Sequence, residues 1–231
     1  MKLKCHLPVK INESFFIEMT PVALGLGSNK KFSCLSPEEI LGGAIFELSK
    51  ILHNIEISSV YRTKAMYVVD QEDFYNMSLV GLLDDGICAR ALLEKIHEIE
   101  AAFGRDREKE IRFGPRSLDI DIEFFGRQKI LEPDLQIPHP RLKERAFVLT
   151  PLLEVLDKLE SKEAASHIIS SHATVWNADN IKGEIFCFGR DEISAALFSL
   201  GEKDGGVEKI IRAQDFLPFI KSRLQDERSS R

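Results

Sequence analysis

The sequence predicts an α+β protein in which an antiparallel sheet carries two helices on one face. Two observations support this fold class: two segments have apolar residues at helical spacing, and four short segments have strand character. Along the chain these segments follow the order β-α-β-β-α-β. That order is typical of the ferredoxin-like arrangement.

The first strand and helix have clear boundaries. Residues 21–27 form a short apolar run that ends in glycines, which indicates a buried strand followed by a turn. Ser36, Pro37 and Glu39 predict a helix start, with Ser36 as the N-cap, Pro37 as the first helical residue and Glu39 as the partner in a capping box. The apolar stripe of this helix is Ile40, Leu41, Ala44, Ile45, Leu48, Ile51 and Leu52.

The remaining elements of the pattern are three strands and a second helix. Residues 55–63 are rich in β-branched side chains, and both this segment and 74–83 are expected to be strands. The turn at 84–86 is expected to cap a second helix, which Gly104 would end. Its stripe is Leu92, Leu93, Ile96, Ile99 and Phe103. Residues 118–125 alternate between apolar and acidic side chains, so they predict the last strand.

These elements define a domain over residues 21–157. A short strand at 129–131 and a strand or helix at 147–156 would close it. Residues 1–20 are expected to be an N-terminal extension. Residues 158–231 are expected to be a C-terminal extension, either a linker with a small helical element or a partial fusion partner.

The composition restricts the function classes. The chain of 231 residues has 31 Lys and Arg against 37 Asp and Glu, so a generally basic nucleic-acid binder is excluded. No apolar run reaches the roughly 18 residues that a membrane helix needs, and the N-terminus has no secretory signal pattern. The four cysteines lie far apart with no CxxC pair, which favours reduced thiols and a cytoplasmic location.

Acidic residues on the last strand are the first candidate site. Asp119 and Asp121 are two residues apart, so their side chains share one face of the strand, and Glu123 continues that face. Paired carboxylates suit Mg²⁺, which completes its octahedron with phosphate oxygens and water. The alternative is a solvated sheet face with three acids that bind nothing.

A basic segment precedes this strand. Between Gly104 and Asp119 five basic and three acidic residues give a net charge of +2, in a chain whose net charge is −6. The basic residues are Arg105, Arg107, Lys109, Arg112 and Arg116. Arginine forks match phosphate oxygens, and a flexible arginine loop beside paired aspartates suits phosphoryl-type transfer. A salt-bridged surface loop is the alternative, and no GxxxxGK[ST] motif is present.

Five segments, in the same order, resemble the 6-hydroxymethyl-7,8-dihydropterin pyrophosphokinase family of folate biosynthesis. They are residues 23–29, 59–63, 71–76, 112–121 and 137–141. The resemblance extends over about residues 22–155, and its most specific part is the Gly-Pro-Arg-x-x-Asp-x-Asp pattern that ends at Asp121.

The resemblance implies a reaction and its phosphate site. The family transfers the terminal diphosphate of ATP to the hydroxymethyl group of the pterin and releases AMP. Two Mg²⁺ ions would lie on Asp119 and Asp121. The arginines expected to bind phosphate are Arg105, Arg107, Arg112 and Arg116.

The resemblance also implies the binding residues for each substrate. The pterin would lie between Phe74 and Phe147, with Asn76 and Thr63 at its hydrogen-bonding edge. The nucleotide would contact Arg112, Arg116, Ile122, His139 and Arg145. The expected partners are therefore small molecules, ATP and a dihydropterin, with neither nucleic acid nor membrane. The C-terminal extension could join a fusion partner or a second copy of the chain.

Two departures and two alternatives accompany the resemblance. The family usually has prolines and a glycine after Thr63, where this chain has Lys64-Ala65-Met66-Tyr67-Val68-Val69, and a common tryptophan is replaced by Phe113. One alternative is a nucleic-acid-binding module with the same element order, which would need a basic sheet face with exposed aromatics. The other is a pyrophosphokinase-like pseudoenzyme that binds protein through its tail.

Overall fold

The computed structural model describes residues 19–66, 70–84, 86–109, 111, 113–166, 190–200, 206–216 and 218. The elements in chain order are β1 (Met19–Ser28), α1 (Pro37–Leu48), β2 (Leu52–Ile57), β3 (Val60–Thr63), β4 (Phe74–Asp84), α2 (Ala89–Ala102), β5 (Asp119–Phe125), β6 (Ile130–Glu132), β7 (Leu135–Ile137), a 3₁₀ turn (Leu142–Glu144), α3 (Ala146–Ser166), α4 (Arg190–Leu200) and β8 (Glu208–Ile211). The predicted order β-α-β-β-α-β is confirmed, with the segment 55–63 belonging to two strands, β2 and β3.

The main sheet is antiparallel and has the strand order β5-β1-β4-β3-β8, with β2 also paired to β4. The two long central strands β1 and β4 pair from Met19 opposite Asp84 to Ser28 opposite Tyr75. β5 forms one edge of the sheet and β8 the other. A separate hairpin of β6 and β7 follows β5 and includes the predicted short strand.

The predicted start of α1 is confirmed. The Glu39 N–H donates to the Ser36 hydroxyl at 3.4 Å, and the Ser36 N–H donates to the Glu39 carboxylate at 2.8 Å. This reciprocal pair satisfies two donors that a helix start otherwise leaves without partners. Pro37 occupies the first turn, where no intrahelical N–H donor is needed.

Replacing Ser36 with alanine is expected to lower the free energy of unfolding by about 1 kcal/mol, because it removes the hydroxyl acceptor of the capping box. Urea unfolding measures the change. Ser199→Ala is the matched control, since Ser199 is exposed and bonds only within its own helix at the Ala196 carbonyl. Equal losses in the two variants would show that the capping box contributes nothing specific.

The second helix differs from its prediction at the N-terminus. Cys88 occupies the N-cap without a side-chain capping bond, so the cap predicted at 84–86 is wrong. The predicted end is confirmed, because Gly104 follows the helix with a φ of +83°. A Cβ at Gly104 would lie 2.1 Å from the Phe32 ring, so both its backbone and its neighbour require glycine.

The two faces of the sheet are covered differently. α1 and α2 pack on one face, as predicted, over a core that includes Leu24 and Leu26 of β1. α3 and α4 cover one end of the other face, over a second cluster that includes Ala23, Val80 and Phe124. Strand alternation explains this division, because residues at even and odd positions of β1 point to opposite faces. The uncovered end of the second face is where the site lies.

The chain beyond residue 157 continues from the domain. α3 extends through that position to Ser166, and Arg190 at the start of α4 pairs with Asp157 at 2.6 Å. The domain boundary at 157 stays a prediction. Part of the small helical element expected in the C-terminal extension is described, because residues 213–216 are helical and the Phe216 N–H donates to the Arg212 carbonyl. In the part of the chain that the structure describes, no helix is long and apolar enough to span a membrane.

Candidate active site

A pocket opens on the second face of the sheet, beside the N-terminal end of α3. It brings together side chains that are far apart in the sequence, from β3, β4, β5 and α3. The predicted site residues that line it are Thr63, Phe74, Asn76, Arg116, Asp119, Asp121, Arg145 and Phe147.

Two glycines of β1 form the floor between the strands that carry these residues. A Cβ at Gly25 would lie 2.9 Å from a Glu123 carboxylate oxygen, and one at Gly27 would lie 3.0 Å from the Asn76 side-chain oxygen. Larger side chains would therefore fill the space between β4 and β5. Glycine keeps the pocket open at its centre.

Asp119 is held by two arginines. Arg105 donates to one carboxylate oxygen at 2.5 Å and Arg116 to the other at 2.8 Å. Burial raises the pKa of this carboxyl, but the two guanidinium groups outweigh burial, so its pKa lies below the ordinary value. Asp119 is therefore ionised at neutral pH.

The pKa of Asp121, two residues after Asp119, is shifted in the opposite direction. Arg145 lies 3.5 Å from its carboxylate, and no arginine that the structure describes is closer than that in an ion pair with it. Burial and the negative charge of Asp119 raise its pKa to about 7. Two like charges side by side thus make the site attractive to a cation.

His139 lies next to this carboxylate in its neutral form. Burial, followed by the charge of Arg145, lowers its pKa to about 4. Its Nδ1 accepts a hydrogen bond from the Arg141 N–H at 3.2 Å, which places the ring proton on Nε2. Nε2 lies 4.0 Å from the Asp121 carboxylate, but His139 is not among the residues that line the pocket.

Glu100 of α2 was not predicted as a site residue. It holds in place the arginine segment, the basic segment between Gly104 and Asp119. It is only 1% exposed, and it accepts hydrogen bonds from Arg105, Arg107 and the Ile120 N–H. Burial raises its pKa against the effect of the arginines. A signal for this role exists in the sequence: Glu100 lies four residues after Ile96, on the apolar stripe of α2, where a solvated acid is unexpected.

Asn29 is a second residue that sequence reasoning missed. Its buried side chain accepts from the Arg116 N–H at 2.8 Å and donates to the Gln71 side chain and the Glu72 carbonyl, both at 3.1 Å. Gln71 in turn donates to the Phe113 carbonyl at 3.1 Å. These bonds tie together three loops that surround the pocket.

Not every predicted residue lies at the pocket. The side chain of Arg107 is 47% exposed and pairs with Glu100, and Arg105 lies behind Asp119. Ile122 points into the core on the other face of β5, so its predicted nucleotide contact is not supported for the side chain. Arg112 lies outside the described residues.

The fit of the carboxylates to a metal ion can be judged from their neighbours. In the described ranges, no group of three or more His, Cys, Asp or Glu residues surrounds a common point. Both Glu123 oxygens are buried without a hydrogen-bond partner, and burial raises the pKa of this acid well above its ordinary value. Glu123 therefore retains its proton, and the protein offers two pocket carboxylates, Asp119 and Asp121, which fits a hard cation that takes its other ligands from phosphate and water.

The chain is similar to known proteins over most of the predicted domain. Residues 23–157 match the model of the 7,8-dihydro-6-hydroxymethylpterin-pyrophosphokinase (HPPK) family. The 2-amino-4-hydroxy-6-hydroxymethyldihydropteridine pyrophosphokinase of Bacillus subtilis (strain 168) is 36% identical over 121 residues, which cover 52% of this chain and 70% of that protein.

Two further relatives are bifunctional proteins. The Folate synthesis bifunctional protein of Arabidopsis thaliana is 33% identical over 63% of this chain and 30% of its own length. The Bifunctional protein FolKE of Lactococcus lactis subsp. cremoris (strain MG1363) is 29% identical over 76% of this chain and 54% of its own. This chain therefore spans about a third to a half of these longer relatives. With the family model matched over more than half of its length, the chain belongs to the HPPK family.

Proposed function

We propose that the chain transfers the diphosphate of ATP to the hydroxymethyl group of 6-hydroxymethyl-7,8-dihydropterin and releases AMP. The observation that supports this reaction best is the lining of one pocket, which combines two sets of side chains. The first set, here called the phosphate half, is Arg116, Asp119, Asp121 and Arg145, and the second set, the pterin half, is Thr63, Phe74, Asn76 and Phe147.

The second half suits a planar heterocycle. Phe74 and Phe147 both line the pocket and can stack on the two faces of a pterin. The Asn76 amide donates to the Thr63 hydroxyl at 2.8 Å, which fixes the orientation of that amide. Its carbonyl oxygen and second N–H then remain to pair with the acceptor and donor groups of a pterin edge.

The first half suits the phosphates. Arg116 and Arg145 line the pocket with their charges close to Asp119 and Asp121. In the reaction the pterin hydroxyl oxygen loses its proton to the medium and bonds to the β-phosphorus, while the bond from that phosphorus to the oxygen bridging to the α-phosphate breaks and AMP leaves with that oxygen and the electron pair. Such a step depends on positioning and on stabilisation of the transferred charge more than on covalent help from the protein.

Asp119 and Asp121 are the residues that would hold Mg²⁺, with two ions as the expected number. When bound, the metal would neutralise charge on the phosphate oxygens. The unequal environments of the two acids support this role, because Asp119 already has arginine partners and Asp121 has an excess of negative charge nearby.

A cytoplasmic location is part of the proposal and rests on the composition and on the wide spacing of the cysteines in the sequence. The nucleic-acid alternative would need a basic sheet face, and β5 instead presents Asp119, Asp121 and Glu123 on the pocket side. ATP and a dihydropterin are the proposed substrates.

AMP release tests the function. The full chain is incubated with ATP, Mg²⁺ and the hydroxymethyl dihydropterin, and AMP is measured against pterin diphosphate. We expect equal amounts of both products and none when EDTA replaces Mg²⁺. The matched substrate control is 6-methyl-7,8-dihydropterin, which lacks the attacking hydroxyl and should give no AMP. Pterin binding without AMP release would instead identify a pseudoenzyme.

A further inference from the structure

The described C-terminal segment, residues 206–216, lies outside the stretch matched by the family model, yet it is part of the sheet. Its strand β8 pairs with β3, with Ile211 opposite Val60 and Glu208 opposite Arg62. Without β8, β3 would be an edge strand with unpaired backbone groups on its outer side.

Side chains of the C-terminal segment attach it firmly. Phe216 is 0% exposed and belongs to the core beneath α1 and α2. The Ala213 N–H donates to the Ser59 hydroxyl at 3.1 Å, and Lys209 pairs with Glu154 of α3 at 3.3 Å. The segment thus links the core, β3 and α3.

The strand that it supports ends at the pterin half of the pocket. β3 ends with Thr63, whose hydroxyl orients Asn76, and the neighbouring Tyr61 is paired with Asn76 in the sheet. Asp119 and Asp121 lie on β5, at the opposite edge of the same sheet. β8 therefore supports the strand that carries Thr63 in the pterin half, whereas the strand that carries Asp119 and Asp121 lies at the far edge of the sheet.

We propose that the C-terminal segment is a positioning element for the pterin half of the site: β8 and Phe216 hold β3 so that Thr63 and Asn76 are preorganised for the heterocycle. This inference rests on the proposed function. It assigns a role in substrate binding to residues that have no counterpart in the matched family stretch.

The central test uses Phe216→Ala in the full chain. Removing the buried ring is expected to loosen β8 and β3, so that only a fraction of molecules has a binding-competent edge. We expect the Kd for the dihydropterin, measured by titration calorimetry with a saturating non-hydrolysable ATP analogue, to rise about tenfold. The Kd for the ATP analogue alone should change by less than about twofold. Amide hydrogen exchange in residues 60–63 should accelerate.

Two further variants keep the test decisive. Phe198→Ala is the control, since Phe198 is also in the C-terminal extension but 90% exposed, and it should leave both Kd values unchanged. Phe216→Leu retains most of the apolar volume and should give an intermediate pterin Kd, and it decides the question if the alanine variant does not fold. An unchanged pterin Kd, or equal losses for both ligands, would overturn the inference. A wild-type protein that binds no dihydropterin would instead overturn the proposed function.

Discussion

Asp121→Asn is expected to lower kcat by at least about a hundredfold, the range for loss of a group that stabilises transition-state charge. The amide keeps the shape of the carboxylate but removes its charge, so the pocket loses a ligand for Mg²⁺. The rate of AMP release measures the effect. The Mg²⁺ concentration that gives half of the maximal rate should rise in the same variant, because metal affinity falls.

The same substitution is expected to leave the fold intact and to stabilise the metal-free protein at neutral pH. Burial and Asp119 raise the pKa of Asp121 from an ordinary 3.8 to about 7, so the folded state binds this proton more tightly than the unfolded state. The wild-type protein therefore loses stability as the pH rises from about 4 to about 7, whereas the asparagine variant has no such contribution from position 121.

Thermal unfolding across that pH range, with EDTA present, measures this difference. The variant's advantage in Tm should be absent near pH 4 and largest above pH 7. Asp106→Asn is the control: Asp106 lies in the arginine segment and pairs only with Lys109 at the surface. A variant at position 121 that retains wild-type kcat and Mg²⁺ dependence would show that this acid is part of a solvated sheet face.

Local sequence patterns were sufficient for much of the α+β core. The capping box at Ser36 depends only on neighbouring residues, so the start of α1 could be predicted to the residue. Its end was placed too late, because the predicted stripe included Ile51 and Leu52, which follow the helix end at Leu48. The strand β5 could be predicted because the alternation of apolar and acidic residues is local, and it places Asp119 and Asp121 on the same face of the strand. Elements that depend on a distant partner could not be predicted in this way.

β8 illustrates that limit. Glu208–Ile211 is four residues long and has no alternating pattern, and it becomes a strand because the edge of β3 offers backbone partners. The second cluster under α3 has the same origin, since a helix at 147–156 could be expected but not the sheet face that it covers. Asn29 escaped prediction because its role consists of a contact with a loop far away in the sequence. Glu100 has nearby partners and a signal on the stripe of α2, but those partners become visible only when the segment after α2 is folded back onto it.

The site itself was predicted mainly from the resemblance, and the structure separates its arginines by position. Arg116 lines the pocket and contacts Asp119, whereas Arg107 is half exposed and bonds to Glu100. From residue spacing alone the two could not be distinguished. Their different surroundings make a direct comparison informative.

Arg116→Ala is expected to cost about 2–4 kcal/mol of transition-state stabilisation, seen as a loss of kcat/KM. The guanidinium lies at the pocket with one N–H bonded to Asp119 at 2.8 Å, while the Asn29 side chain fixes its backbone N–H. The remaining donors are therefore aimed by two fixed contacts, and the positive charge can bind the phosphates as negative charge shifts during transfer.

Arg107→Ala is the matched comparison and should cost much less, because Glu100 keeps its bonds to Arg105 and the Ile120 N–H when Arg107 is removed. Arg116→Lys should recover part of the loss, since an ammonium keeps the charge but not the forked geometry. Steady-state kinetics with ATP and pterin varied in turn would resolve kcat and KM for all three variants. Equal and negligible losses at positions 107 and 116 would mean that the arginines form a salt-bridged surface loop and that the phosphates bind elsewhere.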